Sequence, residues 1–216
     1  MYKIYLNSED KGLDYNSLRE KLIEICNSHR EKNKALAFAF LLYDFENPQI
    51  SKVLNDNEYW LALNKLSGEY LSVFSINYKS EDEEMEKTAE LTTYSYNDNP
   101  SIATNKLVED YFGENIKITY PAILFFQVTE EEVIDSLLIE LREERIEEAF
   151  LELKQNVKAV VDVLKKIHKE NSRNFKEIFD LIESALITNR NSKNIKRVTK
   201  AAGNILGLAS SIKGIW

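Results

Sequence analysis

The sequence has few of the residues that cross-link or interrupt a fold. Of its 216 residues, one is cysteine, three are proline and six are glycine. The single cysteine, Cys26, cannot form a disulfide within the chain, which suits a reducing compartment. Scarce proline and glycine favour long helices. No stretch reaches the roughly 18 to 20 consecutive apolar residues that a membrane-spanning helix needs.

The beginning of the sequence and the overall composition indicate the compartment. Residues 1–8 contain neither the apolar run nor the cleavage pattern of a secretory signal peptide. The composition, 44% hydrophobic and 30% charged, is typical of a folded protein and not of a disordered chain. We therefore expect a cytoplasmic protein.

Acidic residues outnumber basic residues by 36 to 28, for a net charge of −8. We expect no nucleic-acid partner, because contacts with phosphates need clustered lysine and arginine. The charge is unevenly distributed, since residues 184–216 contain six of the basic residues and no acidic one. This asymmetry distinguishes the C-terminal segment from the rest of the chain.

The sequence contains no motif for phosphate binding, a nucleophilic serine or a zinc protease. Cys26 stands beside Leu22 and Ile25 on the apolar side of a predicted helix, which favours a buried, inert thiol. His29 follows one helical turn later, but no orienting acid or oxyanion site accompanies the pair. With two histidines and no ligand cluster, the sequence predicts no catalytic residue, metal or cofactor.

Strand and helix patterns alternate through the first two-thirds of the chain. Helices are predicted after the first strand, from Pro48 to about Leu66 with Gly68 as a left-handed cap, and over residues 102–112. The nearly unbroken apolar run at 35–43 indicates a strand covered on both faces. The order predicts an α/β domain over residues 1–140. Its strands are predicted at Tyr2–Leu6, 35–43, 70–78, Ala122–Val128 and 133–138.

The remaining residues are predicted to be helical. Apolar residues from Ile146 to Ile167 follow a 4-3-4-3 spacing over three heptads, and a second stripe runs from Phe175 to Leu186. The break at Asn171 predicts an antiparallel hairpin over residues 141–190, followed by a basic, amphipathic tail helix over 191–216. The predicted interaction residues of this tail are Lys196, Arg197, Lys200, Ile205, Leu208, Ile212 and Trp216.

The order of elements over about residues 1–150 resembles that of the thioredoxin-like fold superfamily. The strand at 35–43, leading into a helix that begins at Pro48, resembles the active-site turn of that family. Residues 116–121 resemble the segment that leads to the family's cis-proline, although the sequence leaves open whether the Tyr120–Pro121 bond is cis or trans. The resemblance implies a mixed sheet flanked by helices, with a peptide-binding edge beside Pro121.

The two thiols of thioredoxin chemistry are missing. That chemistry needs cysteines three residues apart at a helix start, and Glu46 and Gln49 stand at these positions. The resemblance therefore implies a redox-inactive protein. We predict a non-catalytic protein-interaction or adaptor module and not an enzyme. Its predicted partner-binding residues are Phe45, Glu46, Asn47, Tyr120 and Pro121.

The helical C-terminal region is predicted to join the module to a second copy or to a larger complex. Three surfaces remain open for the tail: the chain's own hairpin, a protein partner or second copy, and an anionic membrane. The membrane surface corresponds to an alternative function. In it, the protein is a membrane-acting effector, of the toxin or bacterial defence type, that uses residues 190–216.

Overall fold

The computed structural model describes residues 1–6, 15–33, 35–43, 47–78, 108, 112, 118–142, 144–170, 174–189 and 195–198. Of the predicted helix 102–112, the structure describes Val108 and Phe112, and both are helical and buried. The described strands are β1 (Tyr2–Leu6), β2 (Ala37–Leu42), β3 (Leu71–Tyr78), β4 (Ala122–Val128), β5 (Val133–Glu140) and β6 (Ile195–Val198). The described helices are α1 (Tyr15–Asn33), α2 (Pro48–Asn55), α3 (Asn57–Ser67), α4 (Ile146–Glu170) and α5 (Phe175–Asn189).

The strands form one mixed sheet in the order β1-β3-β2-β4-β5-β6. β1 and β2 run parallel to β3 on either side of it, whereas β4, β5 and β6 add antiparallel strands beyond β2. The predicted pairing of 35–43 with Ala122–Val128 is confirmed, with Phe38 opposite Phe126 and Leu42 opposite Ala122. A mixed sheet with helices places the chain in the α/β class, as predicted.

The central strands β2 and β4 are buried along their whole length. Because successive side chains of a strand point to opposite faces, each strand contributes to two apolar layers. Ala39 and Phe125 belong to the layer that contains α2, α3, α4 and α5. Phe40 and Phe126 belong to the layer that contains α1, and their rings stack with centroids 5.2 Å apart. Burial on both faces accounts for the continuous apolar runs in the sequence.

The two C-terminal helices share the core of the sheet. Leu153 and Val157 of α4 and Phe179 of α5 are buried in the same cluster as Ile123 of β4. α4 and α5 also pack against each other. The heptad pattern of α4 is therefore used mainly against its own chain, and α4 and α5 form one layer with α2 and α3.

The prediction of one helix from Pro48 to about Leu66 is wrong at Asp56. Asp56 has extended backbone angles, with φ −79° and ψ 122°, between α2 and α3. Its Oδ1 accepts hydrogen bonds from the backbone N–H groups of Glu58 at 2.8 Å and Tyr59 at 3.1 Å. An aspartate that satisfies free N–H groups in this way begins a new helix. α3 then ends at Gly68, whose φ of 56° has the positive value predicted for this glycine.

The prediction of a tail helix over 191–216 is wrong at Ile195–Val198, which form β6. β6 pairs with β5, with Ser136 opposite Val198 and Ile139 opposite Ile195. This pairing satisfies backbone groups along one edge of β5. Helical periodicity cannot reveal it, because the partner strand lies about sixty residues away in the chain. Residues 199–216 lie outside the described part of the chain.

Asn156 of α4 is a polar residue in an apolar layer. Asn156 is 1% exposed, and neither its Oδ1 nor its Nδ2 has a hydrogen-bond partner among the described residues. A buried amide without partners costs about 1–3 kcal/mol of stability. Asn156 therefore weakens the packing of α4 on the sheet.

We expect the substitution Asn156→Leu to raise the free energy of unfolding by about 1–2 kcal/mol, because leucine has a similar volume and no polar atom. Urea unfolding followed by circular dichroism measures this change. Lys165→Leu is the matched control, since Lys165 is exposed on the same helix and its replacement should change stability by less than about 0.5 kcal/mol. A destabilised Asn156→Leu protein would contradict the prediction.

Candidate functional site

The predicted partner-binding residues that the structure describes lie at one end of the sheet. β2 ends at Leu42, opposite Ala122, the first residue of β4. Pro121 directly precedes Ala122 and is buried, and its carbonyl oxygen accepts a hydrogen bond from the backbone N–H of Leu141 at 2.8 Å. The Tyr120–Pro121 peptide bond is cis. The chain leaving β2 toward Asn47 therefore starts beside Pro121.

Three of these five residues are described, and they differ in accessibility. Asn47 is 6% exposed and begins α2, where its carbonyl oxygen accepts a hydrogen bond from Ser51 N–H at 3.1 Å. Pro121 is buried, whereas Tyr120 is partly buried and packs against the layer that contains α1. Tyr120 is thus the residue of the three that a partner can reach most readily. Phe45 and Glu46 lie outside the described residues.

Two of the seven predicted tail residues lie in β6, and the other five follow it in the sequence. Lys196 and Arg197 lie in this strand and not in the predicted helix, so the backbone there is paired with β5. The other five lie outside the described residues: Lys200, Ile205, Leu208, Ile212 and Trp216.

Cys26 is buried in α1, as predicted, with no exposed surface. Burial raises the pKa of its thiol far above the usual range, although the nearby positive charge of Arg30 opposes this change. A thiol with a raised pKa stays protonated and is a poor nucleophile. Cys26 therefore has the environment of a core residue.

Arg30 joins several elements, and the sequence analysis did not single it out. Its Nη2 donates hydrogen bonds to Gln127 Oε1 at 3.1 Å and to the Val128 carbonyl at 2.7 Å, and its Nη1 donates to Asn27 Oδ1 at 3.1 Å. Gln127 is fully buried, and its Nε2 donates to the Leu36 carbonyl at 2.6 Å. This network lies at the end of β4 opposite the Pro121 end.

The guanidinium of Arg30 also contacts aromatic rings from both layers. It lies 4.4 Å from the ring centroid of Phe175 in α5 and 5.4 Å from that of Phe38 in β2. Burial lowers the pKa of Arg30, with nearby Cys26 and Glu130 opposing this shift. Arg30 thus connects α1 with α5 around the end of the sheet. The sequence held one signal of this network, since Gln127 is polar within the apolar run Ala122–Val128.

His29 belongs to a cluster at the beginning of β1 and β3. Its Nδ1 lies 3.2 Å from Ser72 Oγ, and its ring centroid lies 4.2 Å from that of Tyr2. Ser72 is 2% exposed and His29 is partly buried, so this pair is part of the packing of α1 on the sheet. The terminal ammonium of Met1 donates a hydrogen bond to Asn64 Oδ1. Burial lowers the pKa of this ammonium to about 6. Burial also lowers the pKa of His29, and the positive charges of the Met1 ammonium and of Lys32 lower it further.

Within the described ranges, no three histidine, cysteine, aspartate or glutamate side chains lie close enough together to hold a metal ion. None of the described helices is both long and apolar enough to cross a membrane. Comparison of the chain with protein-family models, with curated proteins and with solved structures finds no match.

We expect Arg30→Met to lower the free energy of unfolding by about 2–4 kcal/mol, because it removes charge-assisted bonds to Gln127 and the Val128 carbonyl but keeps an apolar stem. Urea unfolding measures the loss. Lys32→Met is the matched control, because Lys32 is exposed near the same helix end and should contribute less than about 0.5 kcal/mol. Equal losses in the two proteins would show that the network adds no stability.

We expect stability to fall as the pH drops below 8. The Met1 amine has a pKa of 8.0 in the unfolded chain and about 6 in the folded protein. Between these pH values the unfolded chain binds more protons, so the free energy of unfolding decreases as the pH falls. His29, with a pKa below 6.5 in the folded protein, adds a second loss below pH 6.5. The amine contribution is about 1–2 kcal/mol after solvent screening.

Urea unfolding at a series of pH values separates the two contributions. N-terminal acetylation should flatten the dependence between pH 8 and pH 6, and His29→Gln should flatten it below pH 6.5. An unchanged profile in the acetylated protein or in His29→Gln would refute the contribution of that group.

Proposed function

We propose that the chain is a non-catalytic protein-interaction module, built on a redox-inactive thioredoxin-like domain over about residues 1–150. The strand arrangement carries this proposal. β3, β2 and β4 are adjacent in the middle of one sheet, β1 pairs with β3, and β4 and β5 form an antiparallel pair after the Tyr120–Pro121 segment. These features support the resemblance, which implies a central mixed sheet that ends in an antiparallel pair of strands.

The chemistry of the residues supports a role without catalysis. The one thiol of the chain, that of Cys26, is buried in α1 and has a raised pKa. Gln49, in the first turn of α2, stands where the resemblance implies a second cysteine. A carboxamide cannot take part in thiol–disulfide exchange, because that reaction needs a thiolate. The proposed activity is therefore recognition by shape and hydrogen bonding.

The proposed recognition surface surrounds Tyr120 at the Pro121 end of β4. Phe45 and Glu46 of the connection after β2 stay predicted members of it, whereas Asn47 is 6% exposed and supports the start of α2 from below that surface. Tyr120 combines an apolar ring with a polar tip, a combination enriched at protein interfaces. Residues 118–120 precede β4 and lie outside any described strand. An extended peptide is the partner that we propose for this end of the sheet, because such a peptide can place alternate side chains against an aromatic anchor.

In this proposal, the C-terminal helices form a hairpin that joins the module to a second copy or to a larger complex. An apolar groove of about 600 Å³ between α4 and α5 supports this part of the proposal. An apolar groove between two helices is able to bind the apolar face of an amphipathic helix.

Random peptides displayed on phage and selected on the full chain test the recognition surface. We expect the selected peptides to bind Tyr120→Asp at least about tenfold more weakly, because the substitution removes an aromatic anchor and adds a charge. Fluorescence anisotropy with labelled peptides measures the Kd. Tyr59→Asp is the matched control, since Tyr59 is also partly buried but lies on α3.

Selected peptides that bind both aspartate proteins as tightly as the original chain would contradict the proposed surface. Failure to select any peptide would contradict it as well. A disulfide-reduction assay addresses catalysis separately. Turnover by the full chain above that of Cys26→Ala would contradict the non-catalytic assignment.

A further inference from the structure

The groove between α4 and α5 has an apolar floor and small residues along its sides. Val163 and Ile167 of α4 and Leu181 of α5 line it, and Leu181 is 45% exposed. Ala159 and Ala185 leave room for the backbone of another segment to approach closely. Ile167 is buried, whereas Ala159, Val163 and Ala185 are partly buried and Leu181 is exposed, so the groove still presents apolar surface to a further segment.

The position at which the chain leaves β6 limits the surfaces that the following residues can reach. Val198, the last residue of β6, lies opposite Ser136 of β5, and Ser136 lies opposite Phe126 of β4. Arg30 contacts both Gln127, the next residue of β4, and Phe175, the first residue of α5. The end of β6 and the beginning of α5 therefore lie at the same end of the sheet.

The segment after β6 has the length and the pattern to occupy the groove. Residues 199–216 span about 27 Å as a helix, whereas the part of α5 from Leu181 to Thr188 spans about 10 Å. Ile205, Leu208 and Ile212 recur at the spacing that places them on one side of a helix. The stripe from Ile205 to Ile212 spans about 10 Å as a helix, which matches the length of this part of α5.

We propose that residues 199–216 fold back onto the same chain and lie as a helix in the groove between α4 and α5. The apolar stripe of the segment then covers Val163, Leu181 and Ala185. In the monomer, the groove is closed by the protein's own tail, and any other helix that binds there has to displace it. This inference rests on the groove and on the path of the chain, and it does not depend on the Tyr120 surface.

Hydrogen exchange measured by mass spectrometry on the full chain tests the inference. We expect protected amides at residues 205–212, and we expect Leu181→Lys to raise their exchange rate at least about tenfold, because it places a charge in the apolar contact. Leu151→Lys is the matched control, since Leu151 of α4 is 50% exposed and does not line the groove. Both leucines are about half exposed, so both proteins should keep the circular dichroism of the original chain.

Protection that is independent of protein concentration, weakened by Leu181→Lys and unchanged by Leu151→Lys, supports docking within one chain. Protection that increases with protein concentration would assign the groove to a second copy and overturn the inference. Protection that requires vesicles of phosphatidylglycerol would assign the segment to a membrane surface and overturn it too. Absence of protection, or equal effects of the two lysine substitutions, would also overturn it.

Discussion

The burial of β2 and β4 on both faces is the constraint on which the rest of the structure depends. A strand whose side chains are apolar on both sides needs a helical layer against each face. α1 supplies one layer, and α2, α3, α4 and α5 supply the other. The C-terminal helices are consequently needed to cover the sheet, and Leu153 and Phe179 are as much a part of its core as Phe125.

The two ends of β4 serve different purposes. At the Val128 end, Arg30 satisfies buried polar groups and contacts rings from both layers, so that α1, β4 and α5 are held together. At the Pro121 end, β2 ends at Leu42 opposite Ala122, and Tyr120 lies directly before Pro121. The proposed function uses this end as a recognition surface, and a rigid frame suits that proposal because pre-organised groups lose little entropy when a partner binds.

Several features could be predicted because they depend on local patterns. The apolar runs at 35–43 and 122–128 indicated buried strands, Pro48 indicated a helix start, and Gly68 indicated a helix end. The division of the helix at Asp56 could not be predicted from periodicity, because it depends on whether one carboxylate finds the N–H groups of Glu58 and Tyr59. Of the candidate site, the sequence indicated the position beside Pro121, but it could not indicate that Asn47 is buried while Tyr120 remains accessible.

The sequence by itself determined the α/β class, the two central strands and the absence of a dithiol, because composition and local spacing carry this information. Only the tertiary structure decided that Ile195–Val198 join the sheet as β6, that Arg30 reaches Gln127 and Phe175, and that α4 and α5 leave a groove between them. These features depend on contacts between residues that are far apart in the chain. Their stability comes from burial and pairing that exist only after the sheet has formed.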